Sequence, residues 1–326
     1  MDRRYLNRLP RIENFEEEIC RNICENYSLG EFESYSVVET GYEDFNFILL
    51  TNIGRYFVKI FSKERKEADC RRIISLITLL IKKRVHHPHI YKNKLGDYIK
   101  EIPVNSTKLL LIVMEFIDGM NFFELNKSPS KEEIKQLAED IAQINSITLG
   151  EELPFLYDSW AIPNFAIEYD KKKKCLHPEE VKILKPILKE FLCTDMESLP
   201  KALVHGDIIK TNVLKDTRGK IWIIDFSVAN VYPRVLEIAV TATHLLLDIF
   251  SKEKTADNLR ILLGEYEKYL ELTKQEKNAL PKLIKFSYGI EYLNTIFEER
   301  IKGNRSKENS SLKEEAKIGL SWGNLH

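Results

Sequence analysis

The chain has 326 residues, 44% hydrophobic and 30% charged, an ordinary balance for a globular protein long enough to form one large domain or two lobes. Its 49 basic and 50 acidic residues leave a net charge of −1, so no global positive field draws it to nucleic acid and any charge-driven site must be local. The longest apolar run, LLLIVMEF at 109–116, is far too short to cross a bilayer, and the opening MDRRYLNRLPRIENFEEEIC lacks a signal-peptide core. A cytoplasmic location is therefore expected, with no membrane partner.

Residues 13–28 predict an amphipathic helix, with Phe15, Ile19, Ile23 and Cys24 at helical spacing among acidic neighbours. From about residue 35, SYSVVET, FNFILLT and RYFVKIF are short, β-branched and aromatic, and separated by turn residues at Gly41 and at Asn52 to Gly54, which predicts strands. EADCRRIISLITLLIKKR predicts one helix, and HIYKN, DYIKEI and LLLIVMEF predict three more strands. IDGM at 117–120 reads as a linker. In SPSKEEIKQLAEDIAQINSI, Ser130 and Glu133 form a helix-opening pair. PEEVKILKPILKEFL predicts a helix interrupted at Pro186, and NVLKD and KIWIIDF predict a small hairpin. VLEIAVTATHLLLDIF, TADNLRILLGEYEKYLEL and KLIKFSYGIEYLNTIFEER predict helices, and the polar GNRSKENSSLKEEAK a loop or frayed helix. KKKK at 171–174 reads as a solvated loop. The expected fold class is α+β in two lobes: an antiparallel-sheet lobe with an inserted helix over residues 1–116, and a larger helical lobe over 117–326. Five cysteines without a CxxC pair signal neither a zinc site nor a disulfide frame.

The stretch LVHGDIIKTNVL sets His205, Asp207 and Asn212 among Val204, Ile208, Ile209, Val213 and Leu214. Polar groups beside a core are costly unless satisfied. His-Gly-Asp followed by an Asn five residues after the Asp has the spacing of a kinase catalytic loop, in which the Asp accepts the substrate hydroxyl proton and the Asn holds a metal. IWIIDF ends a buried strand on Asp225, a second oxygen donor suited, with Asn212, to Mg²⁺. Asp207 then remains for the attacking hydroxyl.

In RYFVKIF, Lys59 is the misfit among apolar neighbours and calls for an anionic partner, read as nucleotide phosphate, with a snorkelling lysine on an edge strand as the alternative. Of the acids at the head of the following helix, Glu67 is chosen as the residue that holds Lys59, and Gly41 is the single glycine of a phosphate loop. Backbone groups from Glu115 to Ile117 are candidates for bonding an adenine ring, although a plain core strand accounts for the run equally well. Lys210 is either a cation near the transferred phosphoryl group or a surface lysine. His205 is read as a buttress of the loop rather than a catalyst. His86, His87 and His89 read as a turn into a strand, with metal binding as the alternative. Glu265, Glu267, Glu291, Glu298 and Glu299 read as mostly solvent-facing, and Tyr288, Tyr292 and Trp322 as core.

HGD(x)4N followed by IDF, with LLLIVMEFIDG before it, resembles the aminoglycoside phosphotransferase and choline kinase superfamily over about residues 35–250. That resemblance implies a bilobal protein-kinase-like fold, ATP (in some members GTP) with Mg²⁺, and a small hydroxylated acceptor. It makes Asp207 the catalytic base, Asn212 and Asp225 metal ligands, and Lys59 a phosphate contact. GYEDFNFILLTNIGRYFVKIF is similar to a hydroxylysine-kinase-like branch, with an acid-x-Asn-Phe pattern ahead of the lysine strand. IDFSVANVYPRVLEIAVT is similar to type II homoserine kinases, with Glu237-Ile238-Ala239 carrying Glu where Asp is usual. Both branches phosphorylate amino-acid-like alcohols; aminoglycosides and choline-like compounds remain open. Ile209 where protein kinases carry lysine, Ser227 in place of the DFG glycine, and the absence of APE argue against a protein kinase. The thin glycine loop leaves a catalytically weak, nucleotide-binding regulatory module as the alternative.

Overall fold

The structure is a computed structural model that describes residues 15–38, 44–104, 107–150 and 153–323. Gly41 lies outside the described residues. The chain divides into two compact units, Met1–Gly119 and Met120–His326.

In the first unit, a five-stranded antiparallel sheet runs in the order β1-β2-β3-β5-β4. Its strands are β1 (Phe32–Val38), β2 (Phe45–Thr51), β3 (Gly54–Ile60), β4 (Lys100–Val104) and β5 (Thr107–Glu115). The period-two pattern of β2 turns Phe45, Phe47, Leu49 and Thr51 inward. Helix α1 (Phe15–Tyr27) lays Ile19, Cys20, Ile23, Cys24 and Tyr27 into the same apolar core. The β2–β3 hairpin turns at Thr51–Gly54 and pairs Asn46 with Lys59. Helix α2 (Glu67–Lys82) opens with Glu67 and Asp69, whose charges suit the positive end of a helix. HIYKN is not a strand: only Ile90 pairs, in a single bridge to Met114. His87 folds back instead, its Nδ1 2.7 Å from the Pro88 carbonyl.

The second unit is mostly helical. Its helices are α3 (Phe122–Leu125), α4 (Lys131–Asn145), α5 (Phe165–Lys172), α6 (Pro178–Leu192), α7 (Val235–His244), α8 (Lys252–Tyr266), α9 (Lys274–Arg300) and α10 (Lys307–Trp322). Ser130 and Glu133 form the capping box of α4. Strand β6 (Gly119–Asn121), which begins at the unit boundary, shares a small sheet with β8 (Val213–Asp216) and β9 (Ile221–Ile223). β7 (Lys201–Val204) pairs antiparallel with β10 (Asn230–Pro233).

Three sequence expectations change here. The polar 303–317 segment is mostly the ordered helix α10, with Asn309, Glu315, Ala316 and Gly319 buried. KKKK is the end of α5 and a 3₁₀ turn rather than a loop: Lys172 is buried, bonded to Glu168 at 2.6 Å and to Asn294 at 2.6 Å. The helix expected over 235–250 stops at His244. Among the described residues, no helix is long and apolar enough to cross a membrane.

Candidate active site

The second unit brings Asp207, Asn212 and Asp225 to one place. β7 ends at Val204, and Gly206, at φ 81°, makes the turn that presents Asp207. The Asn212 amide donates to the Asp207 carbonyl at 3.0 Å and to Asp207 Oδ2 at 2.7 Å. Both partners are acceptors, so the amide nitrogen must face them, and Asn212 Oδ1 is directed away from them. The β8–β9 hairpin returns the chain: Ile224 N–H donates to the Asn212 carbonyl at 3.0 Å, which fixes Asp225 beside the loop. Asp225 has φ 65°, a strained left-handed conformation for a side-chain-bearing residue and of the kind that clusters at working sites. Its Oδ1 accepts from Ser227 N–H at 3.3 Å.

Two buried residues frame this loop. His205, fully buried, accepts from Asp207 N–H through Nδ1 at 3.1 Å, and its Nε2 lies 2.9 Å from the Ile224 carbonyl. That pattern fixes the neutral Nε2–H tautomer, and burial pulls the imidazole down to about 4. The ring packs on Phe226 with centroids 4.2 Å apart. Glu237, at the head of α7 and also fully buried, accepts the His205 N–H at 2.5 Å and the Gly206 N–H at 3.1 Å. Burial raises Glu237 to about 7 against the pull of those two bonds. The Glu that replaces the usual Asp in the Glu237-Ile238-Ala239 segment thus grips backbone N–H groups of the loop.

Asp207 holds its proton well above the ordinary carboxylate range, first because it is desolvated, then because Asp158 and Asp225 are nearby anions. A cation bound among these carboxylates would favour their ionised forms. Asn212 Oδ1 and the Asp225 carboxylate are hard oxygen donors, which fits a hard divalent ion. Among the described residues, no group of three His, Cys, Asp or Glu side chains is placed to hold a metal. Asn212 and Asp225 would be the side chains to hold such an ion, which would then place positive charge beside the loop.

In the first unit, Lys59 is buried, with its Nζ 3.0 Å from Asp44 Oδ2. Asp44 also accepts Ser62 N–H at 2.9 Å and lies 3.7 Å from Arg65 Nε. The expectation that Glu67 holds Lys59 is corrected: Glu67 is exposed and pairs with Arg71 one helical turn on, at 2.8 Å. Asp44 was legible. Counting back from the 51–54 turn sets Asn46 opposite Lys59 and Asp44 just beyond, on the register that joins the two strands. Glu115 ends β5, with its N–H already donated to the His89 carbonyl at 2.8 Å and its Oε2 accepting His89 N–H at 3.1 Å. Ile117 lies in the unpaired segment 116–118, where Arg55 stacks on Phe116 and pairs with Asp118. Lys210 is held by Glu315 of α10 at 2.8 Å.

The model of the phosphotransferase enzyme family matches residues 34–272, nearly three-quarters of the chain. This protein belongs to that family and is a small-molecule kinase. A homoserine kinase of Caulobacter sp. (strain K31) is 24% identical over 268 residues, covering 79% of each chain. Among solved structures, an amicoumacin kinase in complex with AMP-PNP, Ca²⁺ and Ami superposes with TM-score 0.72 at 14% identity, covering 100% of this chain and 97% of that one. A spectinomycin phosphotransferase in complex with ADP and spectinomycin superposes at 0.69, also 14% identical, covering 97% of each. The fold is accordingly the α+β protein-kinase-like one.

Proposed function

We propose that the chain transfers the γ-phosphoryl group of ATP, with Mg²⁺, to a hydroxyl of a small amino-acid-like alcohol. The observation that carries this reading is the Asp207–Asn212 bond beside Asp225, an acidic set built around one carboxyl of raised proton affinity. Asp207 orients the acceptor hydroxyl and takes its proton as the bond to phosphorus forms. Asn212 and Asp225 hold the metal, which when bound supplies positive charge to the phosphate oxygens. Lys59, paired with Asp44 at 3.0 Å, contacts the nucleotide phosphates. His205 and Glu237 act on the chemistry only by fixing the loop. The homoserine kinase names among curated relatives favour an amino-acid-like acceptor over an aminoglycoside.

The test is Asp207→Asn in a coupled ADP-release assay across amino alcohols, choline-like amines, sugars and aminoglycosides. Turnover falls by roughly 10²–10⁴, while nucleotide affinity, read by calorimetry, stays within about twofold. Undiminished turnover in this variant removes Asp207 from the reaction.

A further inference from the structure

Residues 153–160, between α4 and α5, form neither helix nor strand, yet their backbone is pinned from three sides. Three buried asparagines, each from a different element, donate to its carbonyls. Asn164, just ahead of α5, bonds the Asp158 carbonyl at 2.6 Å, and Asn294 of α9 bonds the Ser159 carbonyl at 2.8 Å. Asn230, at the start of β10 and 1% exposed, grips Leu156 twice. Its amide donates to the Leu156 carbonyl at 2.8 Å, and its Oδ1 accepts the Leu156 N–H at 3.1 Å.

The Asn230 amide has a second acceptor, the Val228 carbonyl at 3.2 Å. A carbonyl only accepts and an N–H only donates, so these three bonds leave the side chain one orientation. Val228 closes the 3₁₀ turn Phe226–Val228 that Asp225 opens. On the other side of Asp225, His205 Nε2 holds the Ile224 carbonyl at 2.9 Å. Asp225 therefore sits between two fixed carbonyls. At φ 65° its backbone is strained, and such a conformation lasts only where the surroundings over-determine it. Val228 also lies against the turn that presents Asp207: a methyl group added at Gly206 would come within 3.9 Å of the Val228 carbonyl oxygen. One buried amide thus joins the 153–160 strap to the turn of Asp225, beside the turn of Asp207.

We infer that Asn230 is a positioning residue, which locks the backbone of Asp225 in the conformation that presents its carboxylate to the metal and makes the 153–160 strap a structural part of that site. This rests on the reading of Asp225 as a metal ligand. Asn230 acts through the Val228 carbonyl rather than on the metal. Without its amide, the Leu156 and Val228 carbonyls and the Leu156 N–H lose these bonds at one place. The turn then relaxes toward negative φ and carries the Asp225 carboxylate with it. A clamp with no such role would lower stability and leave the metal's contribution untouched.

The experiment compares the full wild-type chain with Asn230→Leu, which keeps the branched shape and removes every polar side-chain atom. Hydrogen exchange of the ligand-free protein, read by mass spectrometry, quickens severalfold in the variant at both 153–160 and 225–229. Calorimetric titration with ATP, once in Mg²⁺ and once in EDTA, gives the gain in affinity due to the metal, a ratio that lost stability alone does not change. The gain is roughly tenfold or more in wild type and falls to within about twofold in Asn230→Leu, while affinity in EDTA holds. Asn230→Ser, whose hydroxyl still offers one donor, shows the same changes to a smaller extent and decides the matter if Asn230→Leu does not fold. A gain that a folded variant retains in full, or exchange that quickens at the strap and not at the turn, overturns the inference and leaves Asn230 a brace of the strap. A wild type whose ATP affinity ignores Mg²⁺ overturns the reading of Asp225 as a ligand, and the inference with it, so the wild-type titration alone tells the two failures apart.

Discussion

His205 and Glu237 hold opposite ends of one short bond chain, and their proton affinities move in opposite directions. His205 stays neutral because burial lowers it to about 4, so folding resists its protonation. Between pH 4 and 6.5 the unfolded chain binds the extra proton, and stability is lost as pH falls through that window, by about 3 kcal/mol in total. Glu237, raised to about 7, behaves inversely. The folded state keeps its proton between pH 4.5 and 7, and stability is lost as pH rises through that window, by a similar ~3 kcal/mol. The two slopes overlap from 4.5 to 6.5 and cancel. Urea unfolding across this range separates them. Measured as a difference from wild type, Glu237→Gln leaves a stability that climbs with pH, and His205→Gln leaves one that declines. Two flat difference profiles would mean that neither group is buried in the state described.

At the scale of elements, α10 carries more of the site than its sequence advertises. It packs along α9 through Ala316 and Gly319, and it reaches the catalytic loop through the Glu315–Lys210 pair. Gly319 lies flat against the Tyr288 ring, and a methyl group added there would run into it. Gly319→Ala therefore forces the two helices apart, at a cost of about 1–3 kcal/mol, seen as a lowered melting temperature. The same small residues explain why this helix was not legible. Amphipathic patterns announce themselves through large apolar side chains, and here the buried face is Asn309, Glu315, Ala316 and Gly319. Lys172 hid for a related reason: in a run of four lysines, nothing local marks the one that Glu168 and Asn294 draw inside. Glu291 was lost among exposed acids because its burial depends on α7 and α10 closing over it, a long-range fact.

The whole molecule was more readable than its parts, since the order of textures (alternating strands with an inserted helix, then helical periodicity broken by one hairpin) defines a protein-kinase-like α+β chain. That Asp207, Asn212 and Asp225 lie together was readable as well, because they are fixed by a short loop and the next hairpin, and so their spacing in sequence is nearly their spacing in space. Lys59 was visible as a charge in an apolar strand, while its carboxylate was sought downstream at Glu67 and found upstream at Asp44. Global stability offers a test of the triplet that needs no acceptor. A ligand that binds only the folded chain stabilises it by RT ln(1 + [L]/Kd), about 2.7 kcal/mol at a hundredfold excess over Kd. If Asn212 and Asp225 hold the metal, ATP raises the melting temperature by several degrees with Mg²⁺ and much less with EDTA. Asp225→Asn exchanges a carboxylate for a weaker, neutral oxygen donor, and the Mg²⁺-dependent part of the shift disappears. Asp207→Asn, whose target is the acceptor hydroxyl, keeps that part intact. The contrast between the two variants carries the assignment: equal Mg²⁺-dependent shifts in both would place the metal elsewhere and leave Asp225 a structural cap of the turn at Ser227.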